Sequence, residues 1–232
     1  EAYPRHYMVN YLDAALAAHK QQYEKARDLL QNNLKAAPNH VESLFLLGAV
    51  NVQLGQLTLA EHNFNAVLRL TPGSIPARTM LASLHLKRNQ AKAAYDVLLP
   101  VLRARPDFTQ LGLAGEALLQ MGRSAEANAL FKQAAKLQPE SGAPSLSLGR
   151  ASLQQGKVSD ALDFLQQAST HAPTRLQAEL FMVRTLWQQG ERMPALKRLG
   201  ELEKIFPKEA DLPLLHGSLL FQNNELPAAR TG

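Results

Sequence analysis

No cysteine occurs anywhere in the 232 residues. That excludes disulfide bonds and thiolate metal sites, and it leaves cytoplasm and periplasm both open as compartments. Aromatic residues are scarce at 6%, although 46% of the chain is hydrophobic. A core of that composition has to be built from Leu and Ala, which suits closely packed helices with small contact residues. Long hydrophobic runs are missing too. The longest, such as Leu44–Val50, fall far short of the roughly 18 apolar residues that a membrane helix needs. The first residue is Glu1, and no signal peptide or lipid-attachment cysteine follows it. The expectation is a segment of a longer protein, or one whose leader has been removed.

Chemical motifs are equally sparse. His6, His19, His40, His62, His85, His171 and His216 are scattered and form no HxxxH or HExxH pair. No nucleophile elbow, phosphate-binding loop or dinucleotide fingerprint is present. No catalytic, cofactor-binding or metal-ligating residue is therefore assigned, and the chain is read as a non-enzyme without a cofactor. Nucleic acid is not expected as a partner. The formal net charge is +5, from 25 basic and 20 acidic residues. Part of the excess is local. Arg69, Arg78, Lys87, Arg88, Lys92, Arg103 and Arg105 face one acid, Asp96, within residues 65–106. A solvated outer face accounts for such a run, and an anionic polymer or acidic partner is the functional alternative.

What the chain does have is a ladder of prolines. Pro4, Pro38, Pro72, Pro106, Pro139, Pro173 and Pro207 recur at intervals of 34, 34, 34, 33, 34 and 34 residues. A fixed period of that length marks a repeat array, whose core is buried between neighbouring units. With each proline at position 32, units begin at Tyr7, Val41, Ile75, Phe108, Gly142, Leu176 and Ala210. Helix A is expected over the first 14 positions and helix B up to the proline, which lacks an amide hydrogen and ends the helix. Position 15, the intervening turn, carries Gly55, Gly122, Gly156 and Gly190, with Asn89 and Asn224 elsewhere and Gln21 as the departure. Gly and Asn accept the left-handed conformation that ends a helix.

Position 20 is alanine in every unit: Ala26, Ala60, Ala94, Ala127, Ala161, Ala195 and Ala229. Position 8 is small in all but one: Ala14, Gly48, Ala82, Gly115, Gly149 and Gly217, against Val183. Small residues at both places let paired helices approach closely, so repeat six is expected to pack more loosely. Position 24 is bulky and lies on the same helix face as position 20, as Leu30, Phe64, Leu98, Phe131, Leu165 and Leu199. The 33-residue interval removes one residue near Asp107–Phe108 and is expected to tighten the connection between repeats three and four.

These landmarks, recurring in phase, resemble the tetratricopeptide repeat (TPR) over the whole chain. The resemblance implies an all-α fold, a right-handed superhelical solenoid of antiparallel helix pairs. Residues 1–6 are read as the remnant of a preceding repeat. Six repeats follow at 7–40, 41–74, 75–107, 108–141, 142–175 and 176–209, with an incomplete seventh at 210–232. It also implies a concave groove lined by helices A as the working surface, where positions 2, 5, 9, 12 and 13 face inward. The candidate partner-binding residues are Tyr11, Phe45, Gln53, Lys87, Gln120, Leu146, Arg150, Gln154, Leu180, Arg184, Gln188 and Gln222. The groove is expected to be apolar and aromatic at its first end, with paired arginines near the far end. Position 5 of repeat seven, Leu214, belongs to the same stripe. The position-13 glutamines can donate and accept hydrogen bonds, to an extended backbone or to sugar hydroxyls. The sole tryptophan, Trp187, sits at position 12 of repeat six. It reads as inter-repeat packing beside the groove, with a ligand platform as the alternative. Domains that hold chaperone tails place Lys and Asn at positions 5 and 9 of successive helices A. Here Tyr11/Ala15, Phe45/Ala49 and Thr79/Ser83 stand instead, so that clamp is absent.

The segments LGLAGEALLQMG (111–122), FKQAAKLQP (131–139), AELFMVRTLWQQGERMPAL (178–196) and LPLLHGSLLFQNNELPAAR (212–230) resemble a narrower family. These are the PrsT-type repeat lipoproteins of bacterial PEP-CTERM/exosortase systems, which accompany exopolysaccharide gene clusters. That resemblance implies a periplasmic scaffold in protein sorting or exopolysaccharide export. The full-length protein would be held at the outer membrane through a lipid anchor outside this segment. The partner expected in the groove is a protein or peptide. The alternatives are an array that guides an anionic polysaccharide, with residues 65–106 as its footprint, and the regulatory repeat region of a larger glycosyltransferase.

Overall fold

The computed structural model describes the backbone of residues 7–229 and the side chains of residues 8–222. Among the described residues there are thirteen helices and no strand. They are α1 (Tyr7–His19), α2 (Tyr23–Ala36), α3 (Val41–Gln53), α4 (Leu57–Leu70), α5 (Ile75–Lys87), α6 (Ala91–Leu102) and α7 (Phe108–Gln120). There follow α8 (Ser124–Leu137), α9 (Ala143–Gln154), α10 (Val158–Ser169), α11 (Ala172–Gln188), α12 (Arg192–Ile205) and α13 (Asp211–Ala229). Two compact units result, Glu1–Met121 and Gly122–Gly232, with α7 in the first and α8 in the second.

Helices α1, α3, α5, α7, α9 and α11 each stop where the backbone enters the left-handed region. The residues there are Gly55, Gly122, Gly156 and Gly190, together with Asn89 (φ 56°) and Gln21 (φ 59°). Gln21 therefore makes the same turn as the glycines, at a cost of about 1–2 kcal/mol for its Cβ. The turn is worth that cost because it satisfies carbonyls at the helix end. The Gln22 amide donates to the Ala17 carbonyl at 2.9 Å and the Gln21 amide to Ala18 at 2.9 Å, a Schellman pair. Gln56 to Asn51 at 2.8 Å and Lys157 to Ser152 at 2.9 Å repeat the longer bond. Asn224 departs from the expected turn, since α13 runs unbroken through it.

Within a repeat, helices A and B meet through the small residues. Ala26, Ala60, Ala94, Ala161 and Ala195 are fully buried, as are Leu30, Phe64, Leu98, Leu165 and Leu199 four residues further on. A Cβ on Gly48 would lie 2.6 Å from Cε1 of Phe64, and one on Gly149 would lie 2.7 Å from Cγ of Leu165. Position 8 thus sits directly on position 24. Val183 fits the same place: it is 1% exposed, in one cluster with Ala195 and Leu199. In keeping with the looser packing expected of repeat six, the backbones of α11 and α12 approach one another less extensively than the helix pairs of repeats one, two, three and five.

Successive repeats join through a contact that the alanine–glycine pattern does not announce. Position 27 of one helix B meets position 3 of the next helix A. Val67 clusters with Ala77, Ala168 with Ala178, and Leu202 with Leu212. At the first joint the pair is polar. Buried Asn33 donates to the Ser43 hydroxyl at 2.7 Å, and His40 Nδ1 lies 2.8 Å from the same oxygen. In the second unit Arg198 bridges three helices, reaching Glu179 at 2.5 Å and Gln166 at 2.8 Å.

Pro38, Pro72, Pro106, Pro139 and Pro207 all follow a helix B, while Pro4 lies outside the described residues. Pro173 does the opposite. It stands in the first turn of α11, where its missing amide hydrogen is harmless. Helix α10 stops early at Ser169, and Thr174 fastens the short corner by donating to the Ala168 carbonyl at 2.7 Å. The connection after repeat three is tightened in its packing, since α7 lies against α5 more extensively than α3 lies against α1 or α11 against α9, but its loop is not shortened. Pro100 lies in the last turn of α6, which ends at Leu102, so the missing residue comes out of the helix. Residues 103–107 remain for the loop, and Asp107 closes it with a capping box to Gln110.

These contacts predict a coupled pair of substitutions. Gly48→Ala should destabilise by about 1–3 kcal/mol in chemical denaturation, because Phe64 cannot retreat from a packed core. Adding Phe64→Leu recreates the Ala14–Leu30 and Ala82–Leu98 combinations and should recover about 1 kcal/mol of that loss in a double-mutant cycle. Strict additivity would show that the two side chains do not press on one another.

Candidate functional site

The second unit holds an open groove of about 720 Å³. Helix α11 supplies one wall through Gln177, Leu180, Arg184, Trp187 and Gln188, at positions 2, 5, 9, 12 and 13 of repeat six, with Phe181 and Val183 beside them. Leu146 and Arg150 of α9 extend it on one side, and Leu215, Leu219 and Gln222 of α13 on the other. The inward stripe follows from helix packing. Buried Ala178, Met182 and Thr185 turn one face of α11 into the protein, so the residues between them face out.

Six of the twelve predicted groove residues are brought together here: Leu146, Arg150, Leu180, Arg184, Gln188 and Gln222. Gln154 is not among the lining residues, and its side-chain oxygen accepts a hydrogen bond from Ser124 at 2.9 Å. In repeat seven the stripe is displaced by one residue. Leu215 lines the groove, whereas Leu214 is 72% exposed and outside it. Phe181 and Leu219, which the positional rule passed over, belong to the wall.

The predicted residues of the first unit are placed differently. Tyr11 is half-buried and meets the His40 ring edge-on at 5.4 Å, and Phe45 packs against Phe64 at 5.6 Å. Both aromatics take part in packing while keeping part of their surface exposed. Thr79 accepts a hydrogen bond from Gln110 at 3.2 Å. Gln53, Lys87 and Gln120 are exposed at the ends of α3, α5 and α7. The basic run of residues 65–106 is also partly consumed. Arg78 donates to the carbonyls of Pro72 at 2.8 Å and Val97 at 3.0 Å. Arg88 pairs with Glu61 at 2.5 Å and Lys92 with Asp96 at 2.6 Å.

Electrostatically the second-unit groove is one-sided. Among the described residues its lining contains two arginines and no acid. The Arg150 guanidinium lies 6.0 Å from the centre of the Phe181 ring, and Arg192 caps the Trp187 ring at 5.5 Å. Both are cation–π distances. Arg184 is exposed and has no hydrogen bond or ion pair among the described residues. Trp187 both packs on the Leu199 cluster and presents a partly exposed edge to the groove, so the two readings of it meet in one side chain. Among the described residues no cluster of metal-ligating side chains occurs, and no helix is long and apolar enough to cross a membrane.

Helix pairs of this length, closed by left-handed turns and stacked through small residues, define the TPR class. Two family profiles described as tetratricopeptide repeat match residues 11–75 and 118–180, together more than half of the chain. The chain belongs to the tetratricopeptide-repeat proteins. No curated protein matches it in sequence. Solved structures show the same fold. A MamA fragment, 41-end from Desulfovibrio magneticus RS-1, superimposes with TM-score 0.68 at 23% identity, covering 72% of this chain and 95% of its own. Another MamA structure gives 0.65 at 21% identity, with coverages of 70% and 89%. YrrB, described as a TPR protein with an unusual peptide-binding site, gives 0.64 at 20% identity, with coverages of 73% and 88%. The fold class is accordingly the all-α TPR superhelix, and the general role that goes with it is protein–protein interaction.

The groove's charge makes a measurable prediction. With Arg150, Arg184 and Arg192 around it, Trp187 should be quenched more strongly by iodide than by caesium at low ionic strength, by about twofold or more. Equal quenching constants would place the positive charge elsewhere.

Proposed function

We propose that this chain is a non-catalytic scaffold that holds a protein or peptide segment in the groove of its second unit. The observation that supports this most directly is the convergence of Leu146, Arg150, Leu180, Arg184, Gln188 and Gln222 on one concave surface. An apolar floor with a few convergent polar groups is the usual make-up of a binding site. The glutamine amides suit an extended backbone, which offers donors and acceptors along its length. YrrB's peptide-binding site provides a precedent within the fold. A polysaccharide track along residues 65–106 is less well supported, because Arg78 is held by backbone carbonyls and Arg88 by Glu61.

The setting we propose is the bacterial periplasm, in exopolysaccharide export or PEP-CTERM protein sorting, with a membrane anchor outside this segment. The text of residues 111–122, 131–139, 178–196 and 212–230 supports it.

A photo-crosslinking residue placed at Gln188 or Gln222 should capture an envelope protein from extract. The same residue at Lys92, exposed on α6, should not. Added exopolysaccharide should leave the Gln188 product intact. Equal capture at Lys92, or loss of the product to polysaccharide, would overturn the reading.

A further inference from the structure

The groove's charge and shape together specify a class of occupant. Its lining combines Leu180, Leu215, Leu219 and Trp187 with two guanidinium groups and three amides, and among the described residues contains no carboxylate. Glu179, the acid on α11 nearest the stripe, is held at 2.5 Å by Arg198 and turned away from the lining. Glu203 is likewise engaged, 2.9 Å from His216. Arg184 is thus a solvated cation beside an apolar floor, with no partner among the described residues. A bound chain that covers that floor also removes water from around Arg184. The guanidinium then interacts with a carboxylate far more strongly than it does in bulk water.

Resting on the scaffold function proposed above, we infer that the occupant is an extended peptide segment in which Asp or Glu alternates with large apolar residues. The apolar side chains sit on Leu180, Leu215 and Leu219, an acidic side chain engages Arg184, and Gln177, Gln188 and Gln222 hold the backbone. Arg150, stacked on Phe181, adds positive potential without having to meet the carboxylate itself. Basic segments are repelled. A polyuronate has the charge but lacks side chains to cover the leucines.

Selection of a phage-displayed random nonapeptide library on the full chain tests this, followed by titration of the best peptide against Trp187 emission. Enriched sequences should combine Asp or Glu with Leu, Ile or Phe. Replacing their acids by Asn and Gln should weaken binding roughly tenfold to a hundredfold. Arg184→Gln should abolish the difference between the acidic peptide and its amide analogue while far-UV circular dichroism stays unchanged. Neutral or basic winners that are lost on Leu215→Asp would overturn the acidic class and leave the groove reading standing. An empty selection, or winners indifferent to both substitutions, would overturn the groove reading itself. Alginate binding that depends on Arg184, with no peptide binding, would replace the peptide by a polysaccharide.

Discussion

The close approach of two helix backbones at position 8 is the constraint from which the rest of each repeat follows. Where Gly48 rests on the Phe64 ring and Gly149 on Leu165, there is no room for a single additional carbon. That contact fixes how helix A lies on helix B, and so decides which side chains of helix A go inward and which emerge. The stripe Gln177, Leu180, Arg184, Trp187 and Gln188 exists as a surface because Val183, buried among them in sequence, is pressed against Leu199. A packing rule and a binding surface are two faces of the same helix.

The groove differs from a core in what it leaves unsatisfied. Acids in the second unit, such as Glu179 and Glu203, are tied to Arg198 and His216, while Arg184 is left facing solvent. In the first unit the balance is the other way. Arg78 and Arg88 are spent on carbonyls and on Glu61, and Tyr11 and Phe45 take part in packing. Position 5 of helix A thus shares its surface between packing and solvent in repeats one and two, whereas in repeats five and six it lines the groove.

Most of the architecture was legible in the sequence because its determinants are local and repeated. A turn residue, an alanine and a bulky residue recur in phase and describe the same backbone each time. The departures occur where a single residue changes the local rule. Pro173 moved from the end of one helix to the start of the next because α10 stopped at Ser169, and Pro100 took the missing residue out of α6. Gln21 carried the turn although its type gave no sign of it. The groove was half legible. Helical periodicity placed the α11 stripe, but which aromatics would be drawn into packing depends on neighbours such as His40 and Phe64, distant in sequence. In repeat seven Leu215 lines the groove in place of Leu214, a change the repeat register alone does not signal.

The buried Asn33–Ser43 hydrogen bond distinguishes one joint from all the others. At three other joints the same two positions bring apolar groups together, in Val67 with Ala77, Ala168 with Ala178 and Leu202 with Leu212, while Gln110, at position 3 of repeat four, turns its amide to Thr79. If Leu202's helix were joined to Ser43, the hydroxyl would lose its Asn33 donor. If Asn33 met Leu212, its amide would be stranded in an apolar site, at a cost of about 1–3 kcal/mol. Repeats that look interchangeable in outline are therefore not interchangeable in order. Duplication or recombination within such an array is filtered by a single polar pair, which allows repeat one to be followed by repeat two and disfavours its other successors.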